Sequence, residues 1–396
     1  QSSGRKVQLG IRGEQVAVFV QGTGAVKILT IVGARPQFIK AATVSRAIAE
    51  HNQNSPEHPV QEVLLHTGQH YDAQMSDVFF EQMQIPYPDY HLGIGGLSHG
   101  AMTGRMLEKI ESIVFTEKPD AVLVYGDTNS TLAGTLAAVK AHIPVAHVEA
   151  GLRSYNLEMP EEINRVLTDR VARWLFCPTH QAIDNLSKEG IRDGERQTIV
   201  KNVGDVMYDA ALFYQAIATP SPAIASLLAK LDGSFYLATV HRAENTNTRS
   251  RLQQILTALD HISENIPVVL PLHPRTRQLV GDFQISHIHI LEPVSYFDMI
   301  SLLQNCRSVF TDSGGLQKEA YFFGKPCVTL REETEWVELV DSGFNILVGA
   351  DPDKILQVET DISEDFHAKI ADRSMQLYGD GNAAKHILSE LLNSMI

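Results

Sequence analysis

Residues 121–165 read AVLVYGDTNSTLAGTLAAVKAHIPVAHVEAGLRSYNLEMPEEINR. The apolar run Ala121–Tyr125 stops at Gly126-Asp127, and an Ala/Leu-rich helical segment follows, capped by Thr128, Asn129 or Ser130. A second apolar run, Pro144 to Val148, stops at Glu149, and a short loop then delivers Glu161 and Glu162 behind Pro160. The pattern predicts a strand–helix–strand unit of an open parallel sheet, in which ligands bind outside the carboxyl ends of the strands. Asp127 and Glu149 fall at such ends, and Glu161 arrives from the next loop. Any one of them reads as a solvated loop acid. Together they point to proton transfer, because different environments give neighbouring carboxyls different pKa values and hence different roles.

A chain of 396 residues exceeds one ordinary domain and predicts two. With 44% hydrophobic and 20% charged residues it reads as soluble and globular. A net charge of −14 argues against nucleic-acid binding, so an anionic ligand would need a local cationic pocket. The three cysteines, Cys177, Cys306 and Cys327, are widely spaced with no CxxC, which fits a reducing, cytoplasmic compartment. No apolar run reaches transmembrane length, so no membrane insertion is expected. Residues 1–26 are rich in Gly, Gln and Ser. Their one apolar burst, Val16–Val20, is too short for a signal-peptide core, and we set them apart as a loose extension.

From Lys27 onward a βα rhythm repeats. Ile28–Val32 reads as a strand buried on both faces. Gly33–Gln37 reads as a turn, and Phe38–Ala49 as a helix; Arg35 and Lys40 near its N-terminus suit an anion. Glu62–Leu65 is the next strand, followed by His66-Thr67-Gly68-Gln69-His70-Tyr71-Asp72, whose spacing matches no zinc motif, so no metal is expected. The glycines of 93–100 follow no evident strand and are discounted as a dinucleotide fingerprint. Ser98–Glu117 reads as an amphipathic helix carrying Arg105. Strands follow at Trp174–Cys177 and Ile199–Val203. Thr219–Ser226, with Pro220 and Pro222, reads as loop near the domain change.

Beyond it, Phe235–Val240 runs into His241-Arg242-Ala243-Glu244-Asn245, and Pro267–Leu272 into His273-Pro274-Arg275. Ser308–Thr311 runs into Asp312-Ser313-Gly314-Gly315 and at once into a helix, Leu316–Phe323; Cys327–Leu330 is the next strand. The Ser-Gly-Gly turn offers backbone donors at a helix N-terminus, where the dipole favours phosphate and glycine permits close approach. It lacks the P-loop spacing. Glu319 lies one turn further on, placed for a sugar hydroxyl. With Arg242, His273 and Arg275 the cluster reads as a diphosphate site.

These motifs, Lys27-Ile-Leu-Thr-Ile-Val-Gly-Ala-Arg35-Pro, Tyr125-Gly-Asp127-Thr, His147-Val-Glu149-Ala-Gly-Leu-Arg153, Pro160-Glu161-Glu162-Ile-Asn-Arg165, His241-Arg242-Ala-Glu244-Asn and Thr311-Asp312-Ser313-Gly-Gly315-Leu-Gln-Lys-Glu319, resemble the non-hydrolysing UDP-N-acetylglucosamine 2-epimerases from Lys27 to the C-terminus. GARPQFIKA, TGQHYDAQMS, MPEEINR, QKEAYFFGKPCVT and TEWVELV resemble the subgroup acting on UDP-2,3-diacetamido-2,3-dideoxy-glucuronate. The resemblance implies a GT-B-like α/β fold of two Rossmann-type, doubly wound parallel-sheet domains facing a cleft. It places the domains at 27–204 and 205–381, with the C-terminal helix of 382–396 returning to the first. It implies no cofactor, a UDP-sugar as substrate, a homodimer and a place in surface polysaccharide synthesis. By position, Asp127, Glu149 and Glu161 match the family's acid/base carboxylates and His241 its catalytic histidine. Arg35, Lys40, Arg165, Ser313, Gly314, Gly315 and Glu319 match nucleotide or phosphate contacts.

Many family members bind a second nucleotide sugar as activator. Gln69 and His70 match part of that site, and Arg105 is a further candidate. Asp72 stands where a second Gln is expected, however, and Ala243 replaces a second Arg, so no activator is expected here. Arg105 and Arg153 are candidates to meet the carboxylate of a uronate sugar. Two other readings stay open on sequence grounds: a GT-B glycosyltransferase using a UDP-sugar, and a catalytically silent UDP-sugar-binding protein.

Overall fold

The computed structural model describes residues 25–69, 80–81, 83–272, 274–280, 283–361 and 376–395, without the side chains of 274, 275, 278, 360 and 361. It divides into two compact units. One comprises residues 1–148, 163–175 and 388–396, and the other residues 149–162 and 176–387.

The first sheet begins with β1 (Val26–Val32), β2 (Val60–His66), β3 (Tyr90–His91), β4 (Ala121–Tyr125) and β5 (Val145–Val148), and continues with β6 (Trp174–Cys177) and β7 (Ile199–Asn202). Its order is β3-β2-β1-β4-β5-β6-β7, and the ladder from β3 to β5 is parallel throughout. The second sheet holds β8 (Tyr236–Thr239), β9 (Val268–Pro271), β10 (His289–Leu291), β11 (Ser308–Thr311), β12 (Cys327–Thr329) and β13 (Asn345–Leu347). Its order is β10-β9-β8-β11-β12-β13, again parallel.

Both orders reverse direction once, between β1 and β4 and between β8 and β11. Those reversals open the crevices in which doubly wound sheets hold ligands.

Strand composition explains the layering. In the second sheet Tyr236, Ala238, Phe310 and Val328 join one apolar cluster, while Phe235, Leu237, Val309 and Cys327 join another. Successive side chains alternate faces, so a run that is apolar at every position is buried on both sides, as parallel strands require. Ile28, Leu29, Thr30, Ile31 and Val32 of β1 are likewise wholly buried.

Several local expectations change. Arg35 and Pro36 belong to a helix, Arg35–Asn54, and not to a free turn. Glu161 and Glu162 open the helix Pro160–Val171 and are not carried by a loop. Thr219–Ser226 is only partly loop: Ser221 caps a helix over Pro222–Leu231, accepting from the Ile224 amide. Proline at a first helical position sacrifices no hydrogen bond, so Pro222 starts an element where we expected a linker. The glycines of 93–100 do follow a strand, β3, but with only two residues it leaves no pattern to read. Edge strands β10 and β13, three residues each, were unforeseen for the same reason.

Candidate active site

In the first unit the chemistry gathers at the β1/β4 reversal. Gly126, at φ 61°, turns the chain out of β4, and Thr128 caps the helix Asn129–Lys140. The two turns are tied by Gln37. Its Oε1 accepts from the amides of Gly33 at 2.7 Å and Ala34 at 3.2 Å, and its Nε2 donates to the Tyr125 carbonyl at 2.6 Å. A buried amide satisfied on both ends fixes its neighbours, so Gln37 sets the spacing of the β1 and β4 ends.

Asp127 is ion-paired with Arg165, which comes from the helix Pro160–Val171. On that helix Asn164 donates from Nδ2 to the Asp127 carbonyl at 2.8 Å. His147 is fully buried beneath this turn, with Nε2 2.7 Å from the Gly126 carbonyl and Nδ1 2.7 Å from Asp169 Oδ1. The buried ring thus links Asp169 to the Gly126 carbonyl and braces the Gly126-Asp127 turn.

Arg35 and Lys40 are half-buried on the helix Arg35–Asn54. Gln69 Oε1 accepts from the Ser130 amide at 2.9 Å and its hydroxyl at 2.8 Å, which ties Gln69 to the start of the neighbouring helix. His70 and Asp72 lie outside the described residues. Arg105 is exposed on the helix His99–Glu117, whose buried face is Met102, Met106, Ile110 and Val114.

In the second unit the β8/β11 reversal carries the matching cluster. Asp312, wholly buried at the end of β11, accepts from the amides of His241 at 3.1 Å and Arg242 at 3.0 Å, and from Asn245 Nδ2 at 3.0 Å. The imidazole of His241 stays open to solvent, with Nδ1 3.3 Å from Asp312 Oδ1. One carboxylate thus holds the loop after β8 and orients the histidine on it. Arg242 reaches Glu335 at 3.5 Å, and Arg331 meets the other oxygen of Glu335 at 2.8 Å. Burial acts to raise the Glu335 carboxyl, but the hydrogen bond from Arg331 and the two guanidinium charges outweigh it and leave it lowered.

Ser313 caps the helix Gly314–Phe322 through the Leu316 amide, so the helix begins two residues earlier than predicted. Tyr296 donates its hydroxyl to Glu319 at 3.4 Å. Burial pushes the Glu319 carboxyl up to about 7 despite that bond and the nearby Lys318 charge. His273 and the side chain of Arg275 lie outside the described residues.

Glu149 belongs to the second unit and is buried; at φ 70° it occupies the left-handed region. Glu161 is exposed in the first turn of its helix, while its neighbour Glu162 is buried, accepting from Ser154 and Tyr155. Arg153 is committed to Glu189, at 2.6 and 3.0 Å. Sequence reasoning missed Gln37, Asn164, Asp312, Asp205 and Lys318. Asp312 alone left a readable signal, as an acid directly after a buried strand and before the Ser-Gly-Gly turn.

Three comparisons bear on this arrangement. The family model described as UDP-N-acetylglucosamine 2-epimerase matches residues 52–392. The UDP-2,3-diacetamido-2,3-dideoxy-D-glucuronate 2-epimerase of Pseudomonas aeruginosa is 55% identical over 368 residues, covering 92% of this chain and 99% of that one. A UDP-N-acetylglucosamine 2-epimerase homolog of Methanococcus maripaludis is 48% identical over 377 residues, covering 93% and 99%. The crystal structure of Methanocaldococcus jannaschii UDP-GlcNAc 2-epimerase in complex with UDP-GlcNAc and UDP superposes with a TM-score of 0.73 at 37% identity, covering 93% of this chain and 100% of that one.

Proposed function

We infer the function from one premise, that this chain belongs to the UDP-N-acetylglucosamine 2-epimerase family. Its fold is GT-B-like, with two parallel-sheet α/β domains, and it is an isomerase acting on a UDP-sugar. Among the described residues no single helix is long and apolar enough to cross a membrane.

We propose the following division of labour. A carboxylate takes the C2 proton; the electrons of that bond form C1=C2, and the C1–O bond breaks with its pair leaving on UDP. UDP then adds back to C1 as a second acid delivers a proton to the opposite face of C2. A C2 hydrogen beside an acetamido group is only weakly acidic, so the step depends on early stabilisation of the departing diphosphate. The Ser313-Gly314-Gly315 helix start, His241 and Arg242 suit that task. Asp127, Glu149 and Glu161 are the proton carriers, with Arg35, Lys40, Arg165 and Glu319 on the nucleotide and its phosphates. The observation that carries this reading is that Asp127 and Glu149 stand after β4 and β5 of the first sheet, while His241, Arg242 and the Ser313-Gly314-Gly315 helix start stand after β8 and β11 of the second.

For the sugar, we propose the 2,3-diacetamido uronate, supported by 55% identity to the Pseudomonas aeruginosa enzyme of that name. The Ala243 departure supports a chain that needs no activator, because a missing guanidinium weakens a site for a dianionic nucleotide. Run in deuterated water, the reaction is expected to place deuterium at C2 of the product. Turnover is expected to favour the diacetamido uronate over UDP-N-acetylglucosamine, with hyperbolic kinetics unchanged by added UDP-N-acetylglucosamine. Epimerised product without C2 label would sink the mechanism. Sigmoidal kinetics on UDP-N-acetylglucosamine with no uronate turnover would sink only the choice of sugar. A glycosyltransferase would leave a UDP-sugar unchanged without an acceptor.

We further propose a cytoplasmic homodimer serving surface polysaccharide synthesis, such as lipopolysaccharide. Ile163, Leu167 and Val171 lie one turn apart along the helix Pro160–Val171 and are all exposed, an apolar stripe suited to a second copy. Sedimentation of the native protein and cell fractionation check both points, and a monomer at micromolar concentration would reject the dimer.

A further inference from the structure

The acid–base scheme leaves one buried cation unexplained. Lys318 lies one turn inside the helix Gly314–Phe322 and is 5% exposed. Its Nζ is 2.5 Å from Asp205 Oδ2 and 3.8 Å from Glu149 Oε1. It also lies 4.3 Å from the centroid of the Trp336 ring and 5.8 Å from that of Tyr378. Tyr378 in turn donates to Glu338 at 2.9 Å. The ammonium therefore faces two carboxylates, Asp205 and Glu149, and two aromatic rings, with the charge of a third acid, Glu338, also acting on it. Burial alone would lower the pKa of Lys318, but those three acids outweigh it and leave it raised, so the side chain stays charged.

The two close acids are not equivalent. Asp205 is fully buried and already has a structural task, capping the helix Val206–Ile217 through the Met207 amide at 2.8 Å. It anchors the ammonium. Glu149 stands further from the ammonium, at 3.8 Å, and is the one of the two that this reading makes a proton carrier. Its backbone is held separately: the amides of Glu149 and Ala150 both donate to the Phe176 carbonyl at 3.1 Å. The left-handed φ of 70° at Glu149 is a conformation that residues with a Cβ seldom adopt, and such strain is maintained where it aims a side chain. Lys318 also shares its helix with the Ser313-Gly314-Gly315 turn, and Trp336, which lies against the ammonium, donates Nε1 to the Gly314 carbonyl at 2.8 Å.

We propose that Lys318 is a positioning residue for the C2 reaction: its ammonium, anchored on Asp205, holds the Glu149 side chain aimed and in its carboxylate form, ready to take the C2 proton. This rests on the reading of Glu149 as one of the proton carriers. The step balances without another reactant, since the C2 proton moves to Glu149 while the C–H electrons become the C1=C2 bond and UDP leaves with the C1–O pair.

The test is Lys318→Met, made alone and with Asp205→Asn so that no buried acid is left without its cation. Both are compared with Glu149→Gln and with the Glu149→Gln/Lys318→Met pair. Removing the cation makes the anionic form of Glu149 harder to hold, so the acid limb of the kcat–pH profile is expected to move to higher pH by about one unit or more. At neutral pH kcat is expected to fall roughly thirtyfold or more, within the range for impaired acid–base catalysis. UDP affinity by calorimetry is expected to change less than about threefold. In the Glu149→Gln background Lys318→Met is expected to add almost nothing, because groups acting through one another are not additive.

An unmoved acid limb in a folded variant overturns the proposal. So does a full multiplicative loss on top of Glu149→Gln, which would make Lys318 a structural cation only. Full turnover by Glu149→Gln would instead overturn the reading beneath it, whatever Lys318→Met does.

Discussion

Asp127→Asn, Glu149→Gln and Glu161→Gln are each expected to lower kcat by roughly two orders of magnitude or more, the range for a lost general acid or base, while UDP still binds. The substitutions keep side-chain shape and remove only the ability to carry a proton. Asp127→Asn retains an oxygen for Arg165 but loses the charge that the guanidinium pairs with. Glu149→Gln leaves the Lys318–Asp205 pair in place. Glu161 is exposed, so its replacement has little to disturb in the fold. His241→Ala is expected to act comparably, because the departing diphosphate would lose a donor that Asp312 holds in orientation. Rates of epimerisation and of C2 deuterium incorporation are the measurements. Near-normal turnover in all three carboxyl variants would reject the assignment of proton carriers.

How far the sequence could be read follows from what each residue acts through. Strands such as Ala121–Tyr125 and Trp174–Cys177 were legible to the residue, because a strand buried on both faces reads as a near-continuous apolar run. Asp127, Glu149 and the Ser-Gly-Gly turn were legible as candidates because each stands just after a strand end. Tyr90–His91 was not, since two residues carry no period. The partners of Gln37, Asp312 and Lys318 were invisible for another reason. Gln37 works on the Tyr125 carbonyl, Asp312 on the amides after β8, and Lys318 on Asp205 and Glu149, all distant in sequence. Nothing near each of them in the chain announces the partner. A lysine between Gln317 and Glu319 reads as a solvated helix face, and only the fold shows that it is enclosed.

Gly315→Val is expected to abolish detectable UDP binding while the melting temperature stays within a few degrees of wild type. The two adjacent glycines serve different ends. A Cβ on Gly314 would lie 2.1 Å from Glu335 Oε1, so the carboxylate that Arg242 and Arg331 hold would have to move. A Cβ on Gly315 would meet nothing nearer than Ser313 Oγ at 4.0 Å, and the residue is exposed. The protein alone has no need of glycine there, and in a helix it costs up to about 1 kcal/mol relative to alanine. A branched side chain should therefore leave stability near its starting value. The position lies in the first turn of the helix Gly314–Phe322, where unpaired amides and the dipole attract an anion. Valine would place its methyl groups where the phosphate must approach those amides. Calorimetry with UDP, beside a thermal melt of each variant, makes the comparison. Gly314→Val should lose stability, whereas Gly315→Val should lose the ligand alone. Unchanged UDP affinity in a folded Gly315→Val protein would place the diphosphate away from this helix start, and with it the stabilisation of the leaving group on which the elimination depends.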